Sequence, residues 1–528
     1  MLNAIVFTCG AALMGMEMAA ARVLAPVLGN SIYVWGAVIS VVMVALSIGY
    51  WLGGQIADRY GAARILPVTV AGAALATVAV PLIASIALQP AASLGPRLGA
   101  LAASLSIFFV PSVLLATVSP LGVRLVAERG MHRIGRSAGG LYAVSTAGSI
   151  VGTIATSFWL IPLLELEPLI VWTGALLAVT ATISLWLRDA EEPAIGARSP
   201  GVEPLAPPSA QRYRATRTLT WLIVATTVVL AGWTLSDVAS PPDANEFGER
   251  IIFRADSQYH RITVTEDDEV RHLRFDRSHQ SAVSLSDEFE STIRYPNYLH
   301  LALALQPEAR NVLVLGLGGG SVSKRYWRDY PEIHVDSVEV DPVVVDVARE
   351  YFGLPEDPRL EVFAEDGRRY VQATERTYDI VIIDAYNADS MPYHLTTADF
   401  FGEIEAVLNP GGVVAYNIIS SVEGTRSKLF RSLYKTAGSV WRERWVIPIG
   451  LGGDGSPTTN RNIIMLATDA AVPADVFQER VAGRVNGRVT IDGFPLFLDD
   501  LYTRPIDVSD VPLLTDTYAP VDSLIEVN

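Results

Sequence analysis

Three acidic residues stand where apolar runs stop. His334–Val340 carries Glu339 near its end and runs on to Asp341, Leu360–Ala364 runs into Glu365-Asp366-Gly367, and Tyr378–Ile383 stops at Asp384. Ahead of them, Gly316-Leu-Gly-Gly-Gly320 separates the apolar Asn311–Leu315 from a helical segment starting near Ser321. A glycine turn between strand and helix lets a ligand approach the backbone, and the helix N-terminus favours negative groups. An acid about 20 residues further on is placed to grip a ribose diol. Helix capping explains one or two such acids. Three of them beside a glycine turn point to a nucleoside site. Gly316–Gly320 with Glu339 suits a dinucleotide as well; Asp366 and Asp384 tilt the balance towards an S-adenosyl ligand.

The elements that would carry these residues follow from hydrophobic pattern. The continuous apolar run of Asn311–Leu315 predicts a buried parallel strand, with His334–Val340, Leu360–Ala364 and Tyr378–Ile383 as the strands that follow. Upstream, Ile251–Arg254, Arg261–Thr265 and Arg271–Phe275 predict a small meander, and Asp287–Leu305 a helix. Downstream, a helix over 422–438 and strands near 444–449 and 462–467 predict an antiparallel edge. Gly450–Thr459 reads as a hairpin connection, with closure over the pocket as the alternative. Three domains are expected: 1–240, 241–305 and 306–528.

The first 240 residues are of another kind. Half of the 528 residues are hydrophobic, 18% are charged, and the mean hydropathy is +0.32. A wholly soluble or disordered chain is excluded. The net charge of −16 argues against nucleic acid as a partner. It divides into +3 over 1–240, which holds no lysine, and −19 over the rest. The single cysteine, Cys9, excludes an internal disulfide. Windows near 2–25, 33–56, 65–88, 98–120, 138–161, 167–187 and 219–238 are each long enough to cross a bilayer. The first has no basic start and is followed by further spans, so a cleaved signal peptide fits poorly. Glu17 and Arg22 lie inside the first window as an interhelical pair or a polar lining. Gly49, Gly53, Gly54, Gly139, Gly140, Gly148 and Gly152 are expected to serve close helix packing. The Pro-rich 189–217 reads as a loop.

The residues then resemble a known family. Val312–Gly320, Val338-Glu-Val-Asp-Pro342, Asp357-Pro-Arg359, Asp366-Gly367, Tyr378–Asp384 and His394-Leu-Thr-Thr397 resemble spermidine synthases, the polyamine aminopropyltransferases. The whole chain is similar to a bacterial group in which a multi-pass membrane module is fused to such a domain; Leu24-Ala-Pro26, Ser31–Trp35, Gly53–Asp58 and Leu514–Pro520 carry that likeness. The resemblance implies a multi-pass α-helical membrane domain followed by an α/β Rossmann-like domain of the S-adenosylmethionine-methyltransferase type with a small β-meander. It implies transfer of an aminopropyl group from decarboxylated S-adenosylmethionine, the co-substrate, to a polyamine such as putrescine, with no permanently bound cofactor and no metal. Asp384 would be the catalytic acid-base residue. Gly316, Gly318, Gly320, Glu339, Asp366 and Gly367 would hold the donor, with Glu339 on the ribose and Asp366 on the adenine amino group. Gln280, Tyr295 and His260 would line the amine site. A homodimer of the soluble domain and an inner-membrane location are implied too.

Four departures fall in or near the amine half. The family's glycine loop carries an acid where this chain has Gly319. Its Asp-Ser-Ser-Asp becomes Asp384-Ala-Tyr-Asn387, with Asp389 the nearest replacement acid. Its Tyr-Gln becomes Tyr259-His260, and the spacing of Tyr295 to His300 is off by one. A methyltransferase of a small amine is the alternative enzyme; a polyamine- or nucleoside-binding transporter or sensor is the alternative outside enzymes. Basic loops at 57–64, 121–137 and 188–217 place the N-terminus inside. Seven crossings would then put 241–528 outside, although S-adenosyl donors are cytosolic; 219–238 is the segment expected not to cross.

Overall fold

The computed structural model describes residues 1–29, 31–129, 134–186, 210–239, 244–245, 247–386, 390–453 and 455–525. The linker 189–209, Asn387 and Asp389 lie outside the described residues. The chain divides into two units, Met1–Pro242 and Asp243–Asn528.

The first unit is helical. Its long helices are Leu2–Leu28, Ile32–Tyr60, Gly95–Arg129, Ile134–Ala155, Leu166–Trp186 and Ala210–Ala239, and the fourth runs on as a π-helix, Thr156–Leu160. Among the described residues, six helical stretches are long and apolar enough to cross a membrane, and the pair Ala62–Val78 and Val80–Ala92, bent by 53°, is a seventh candidate if it counts as one span. Pro81 sits in the first turn after the break, where its missing N–H costs nothing. Small residues set the helix contacts. A Cβ at Gly148 or Gly152 would fall 2.1 Å from the carbonyl oxygens of Phe7 and Ala11, and one at Gly49 2.4 Å from Ala116. Gly54, Gly139 and Gly140 have open space instead, so the packing role expected of them is not found. Glu17 is buried and Arg22 half-buried in the first helix.

The second unit opens with a four-stranded antiparallel sheet, β1 (Arg250–Asp256), β2 (Arg261–Glu266), β3 (Val270–Phe275) and β4 (Ser278–Ser284), in that order. Three strands were expected. The fourth, Ser-His-Gln-Ser-Ala-Val-Ser, has few strand-forming residues and is held by pairing with β3. The expected helix 287–305 shrinks to Tyr295–Tyr298, a 3₁₀ turn Leu299–Leu301 and Ala302–Leu305. Side chains take the upstream backbone groups: Asp287 accepts from Phe289 N–H, Ser291 from Ile293 N–H, and Lys324 donates to the Glu288 carbonyl. Pro296 then starts the short helix.

The main sheet contains β5 (Asn311–Leu315), β6 (His334–Glu339), β7 (Leu360–Ala364), β8 (Tyr378–Ile383), β9 (Leu408–Ser420), β10 (Glu443–Pro448) and β11 (Arg461–Thr468), ordered β10-β11-β9-β8-β5-β6-β7. Neighbours from β7 to β9 pair in parallel, and β11 runs antiparallel between β9 and β10. This is a Rossmann-like sheet of the methyltransferase type. Alternate residues serve two cores: Val312, Val314, Ile380, Ile382 on one face and Leu313, Leu315, Val381, Ile383 on the other. Both faces are therefore apolar, which is why the strands read as unbroken runs. Strand order reverses between β5 and β8, and ligands bind at such a switch point, beyond the strands' C-terminal ends. The helix expected over 422–438 begins only at Lys428, because Gly424 adopts φ 80° and the N–H groups of Val422 and Glu423 bond to the Pro457 carbonyl. Residues 450–459 connect β10 to β11.

Candidate active site

A cavity of about 300 Å³ opens at the C-terminal ends of β5, β6 and β8. Its wall includes Gly316, Gly318, Glu339, Asp366, Gly367, Asp384, Gln280, Tyr295 and His260. Eight of the nine site residues other than Asp384 expected from the sequence thus meet there together with it. Gly320 does not. It takes a left-handed conformation as the N-cap of the helix Ser321–Asp329, and a Cβ there would strike Leu354 at 2.7 Å. The structure shows it packed against Leu354 and away from the cavity wall, not among the residues gathered around the expected donor position. The connection 450–459 joins the antiparallel strands β10 and β11, and none of its described residues lines the cavity.

The glycine turn is fixed by close approach. Gly316 has φ 97°, and a Cβ would lie 2.2 Å from the Asp384 carbonyl oxygen. Gly318 has φ 53° and packs on Ser281. Ser281 Oγ accepts from Gly319 N–H at 2.9 Å, and a Cβ at Gly319 would be 3.0 Å from both Ser281 and Phe352. An acid at Gly319 has no room without movement of β4.

Each acid is held differently. Glu339 is buried and accepts from the N–H groups of Leu317 and Asp341, both at 3.1 Å; burial pushes its carboxyl up. Asp341, two residues on, caps the helix Pro342–Phe352 through Val343 N–H and does not line the cavity. Asp366 does two jobs. One oxygen caps the helix Gly367–Ala373, and the other lies 3.1 Å from His394 Nε2, which holds the carboxyl below its usual range. The loop bearing His394 is tied down by Arg368, which bonds Glu403, Asp516 and the His394 carbonyl, while Asp516 also accepts from Thr397. The C-terminal Leu514–Pro520 stretch thus braces the pocket floor. Asp384 accepts from Asn417 Nδ2 at 2.8 Å and from the Tyr295 hydroxyl, but burial outweighs both and pushes its carboxyl up to about 6. Burial, then Asp384, pushes the Tyr295 phenol far above its usual range, so it stays a donor.

Of the residues expected on the amine side, His260 and Gln280 come from the small sheet and its first turn, and Tyr295 from the short helix that follows. His260 stacks on Phe275 at 5.0 Å and lies 3.4 Å from Asp276. A bulge in the β3–β4 pairing falls at Gln280, between the Arg274–His279 and Leu273–Ser281 pairs. Such a bulge re-aims side chains, and both His279 and Gln280 line the cavity. His300 is elsewhere: fully buried, bonded to Tyr330 at 2.8 Å and pushed down to about 3 by burial.

Several wall residues were missed. Asn417 on β9 holds Asp384, and Asn462 on β11 donates to Asn417 Oδ1 at 3.0 Å. A lone asparagine in the apolar Val413–Ile419 run was the available signal. His279, Tyr386 and Ile419 carried none. Among the described residues, the cavity wall holds three carboxylates and no lysine or arginine. It suits a cationic ligand.

A family model for the spermine/spermidine synthase domain matches residues 295–437. A polyamine aminopropyltransferase of Vibrio vulnificus (strain CMCP6) is 29% identical over 289 residues, covering 52% of this chain and 91% of that protein. Polyamine aminopropyltransferase 1 of Aquifex aeolicus (strain VF5) is 31% identical over 216 residues, covering 37% of this chain and 74% of the relative. The spermidine synthase of Thermotoga maritima superposes with a TM-score of 0.39 at 22% identity, over 48% of this chain and 85% of that one. With these relatives and this site, the chain belongs to the spermine/spermidine synthase family of polyamine aminopropyltransferases.

Proposed function

We propose that this chain is a membrane-embedded aminopropyltransferase. It is a transferase of the spermidine-synthase kind that uses decarboxylated S-adenosylmethionine as co-substrate and keeps no bound cofactor. The observation that carries the reading is the row Asp366, Glu339, Asp384 along one sheet edge, with no lysine or arginine in the described wall. Glu339 suits the ribose and Asp366 the adenine amino group. Asp384 then faces the reacting amine. The amine's ammonium gives its proton to Asp384. Its lone pair forms the new N–C bond at the carbon beside the sulfonium. The C–S bond breaks, and its electron pair stays on sulfur as methylthioadenosine leaves. A methyltransferase reading fits less well, because the carboxylate of intact S-adenosylmethionine would lie on the Asp384 side of the cavity, where the described wall offers no lysine or arginine to hold it. The relatives are named polyamine aminopropyltransferases, so putrescine serves as the reference acceptor. The apolar helices of the first unit support a multi-pass membrane location, for which length and composition are the argument.

The test is release of methylthioadenosine by the full-length protein in detergent, given the decarboxylated donor with a panel of amines. Asp384→Asn is expected to lower kcat/KM by about 10²- to 10⁴-fold, with donor binding retained in calorimetry. Donor binding without turnover, the same in the variant, would instead establish a sensor or transporter.

A further inference from the structure

We propose that Asn462 is a positioning residue for Asp384: it heads a chain of hydrogen bonds, from Asn462 to Asn417 to Asp384, that keeps the amide nitrogen of Asn417 turned to the carboxylate. The inference deepens the aminopropyl-transfer reading and rests on it for the role of Asp384. The two asparagines stand out against their strands. On β9, alternate residues Val413, Ala415 and Asn417 share a face; on β11, Leu466, Ile464 and Asn462 do. The apolar members belong to one core, and an asparagine ends each series at the cavity. Asn417 pairs in register with Ile464, so Asn462 is its diagonal neighbour, within side-chain reach. Asn417 is 2% exposed, and an amide so buried is costly unless bonded.

Its bonds have a direction. Asn462 Nδ2 donates to Asn417 Oδ1 at 3.0 Å, and Asn417 Nδ2 donates to Asp384 Oδ1 at 2.8 Å. The Tyr386 hydroxyl pins the Asn417 backbone carbonyl at 2.8 Å, so what is left to Asn417 is the turn of its amide. An ionised carboxylate can only accept. With the amide nitrogen turned to it, Asp384 gains a charge-assisted bond; with the oxygen turned to it, two acceptors meet. By donating to that oxygen, Asn462 selects the first arrangement and polarises the amide that carries it. Tyr295 also donates to Asp384, and Tyr386 faces it. The other titratable side chains of the wall are Glu339, Asp366 with its partner His394, and Tyr259, His260 and His279 from the small sheet. Among the described residues, the side chain of Asn462 bonds only to Asn417, so it reaches Asp384 through that amide.

The test reads the protonation midpoint of Asp384 in two ways. One is the acid limb of kcat/KM for methylthioadenosine release. The other is the pH-difference infrared spectrum of the full-length protein in detergent, where the protonated-carboxyl band missing from Asp384→Asn belongs to Asp384. Asn462→Asp keeps the size of the side chain but, once ionised, can only accept. It takes the Asn417 nitrogen, leaves the Asn417 oxygen on Asp384 and favours the protonated acid there. The midpoint should rise by roughly one to two pH units more with Asn417 in place than in an Asn417→Leu background, the worth of a hydrogen bond to a charged group. The added charge by itself acts alike in both backgrounds, as does Asp389, and cancels in the comparison. Asn462→Leu, which donates nothing, should raise the midpoint by a smaller step, again only with Asn417 in place. Equal shifts in the two backgrounds for both variants would overturn the inference, since Asn462 would then act by charge or packing alone. No methylthioadenosine from any of these proteins would overturn the aminopropyl-transfer reading, while the infrared midpoints would still decide the role of Asn462.

Discussion

In the proposed reaction Asp384 would work as a base only when ionised, and the protein opposes ionisation. Burial lifts its carboxyl to about 6, while Asn417 and Tyr295 pull the other way. The sign follows directly. A base that titrates near 6 is protonated and idle below that pH and competent above it, so kcat/KM should fall on the acid side with a midpoint near 6. Asn417→Leu removes one group that favours the carboxylate and leaves the burial. The acid limb of the profile should therefore move to higher pH, with donor affinity unchanged. A limb that stays in place, or moves to lower pH, would mean that Asn417 does not set the charge of Asp384. A merely structural role for Asn417 would lower the whole profile without shifting it.

Between elements, the same few residues serve geometry and chemistry together. Gly316 stands where β5 ends against the end of β8, and the Asp384 carbonyl leaves no space for a Cβ. Gly316→Ala is expected to cost roughly 2 kcal/mol or more in stability, from strain and forced φ together. It should also abolish donor binding, since it displaces Asp384. Gly320→Ala meets Leu354 instead. It should lower the melting temperature while leaving donor affinity nearly intact. Calorimetry and thermal unfolding of the two variants check the contrast, and equal loss of binding in both would remove the distinction. The contrast also shows what was legible. The acids Glu339, Asp366 and Asp384 could be read because each stands at or just beyond the C-terminal end of a short strand-like segment, a local signal. Asn417 and Asn462 act through pairing of β9 with β11, and Gln280 through a bulge in the β3–β4 pairing. Such register lies in contacts remote in sequence and leaves no periodic trace. The false helix over 287–305 has the same origin. Its apolar spacing was sound, but Asp287, Ser291 and Lys324 compete for the backbone, and Lys324 comes from beyond β5.

At the scale of the whole chain, the question is how many helices cross the bilayer. The segment expected to stay out of it, 219–238, belongs to a 30-residue helix, Ala210–Ala239. At 1.5 Å per residue this is about 45 Å long, more than the roughly 30 Å of hydrocarbon it would have to span. It packs on Ala62–Val78 and Leu166–Trp186. Its outer side still exposes Leu219, Trp221, Leu222, Val228, Val229 and Trp233. A helix lying on a membrane surface keeps one polar face; this stretch is apolar both where it packs and where it is open, as a spanning helix is. With the bent pair counted as one span, the candidate crossings among the described residues number seven by length and composition. An odd number places the two ends of the chain on opposite sides, whichever way the first helix points. Reporter fusions before Leu2 and after Asn528 should therefore give opposite answers in the same cells. Should both report one side, the bent pair Ala62–Val78 and Val80–Ala92 is the element to suspect, since a 53° break is what a segment turning back would need. The arginines around 57–64 and 121–137 oppose that alternative, because a returning pair would carry the second cluster to the far side. If the ends do differ, the loop charges put the catalytic unit outside, and the donor must reach it across the membrane. Methylthioadenosine release should then be blocked in sealed, right-side-out cells by a membrane-impermeant inhibitor of the site, and untouched by it if the unit faces the cytosol.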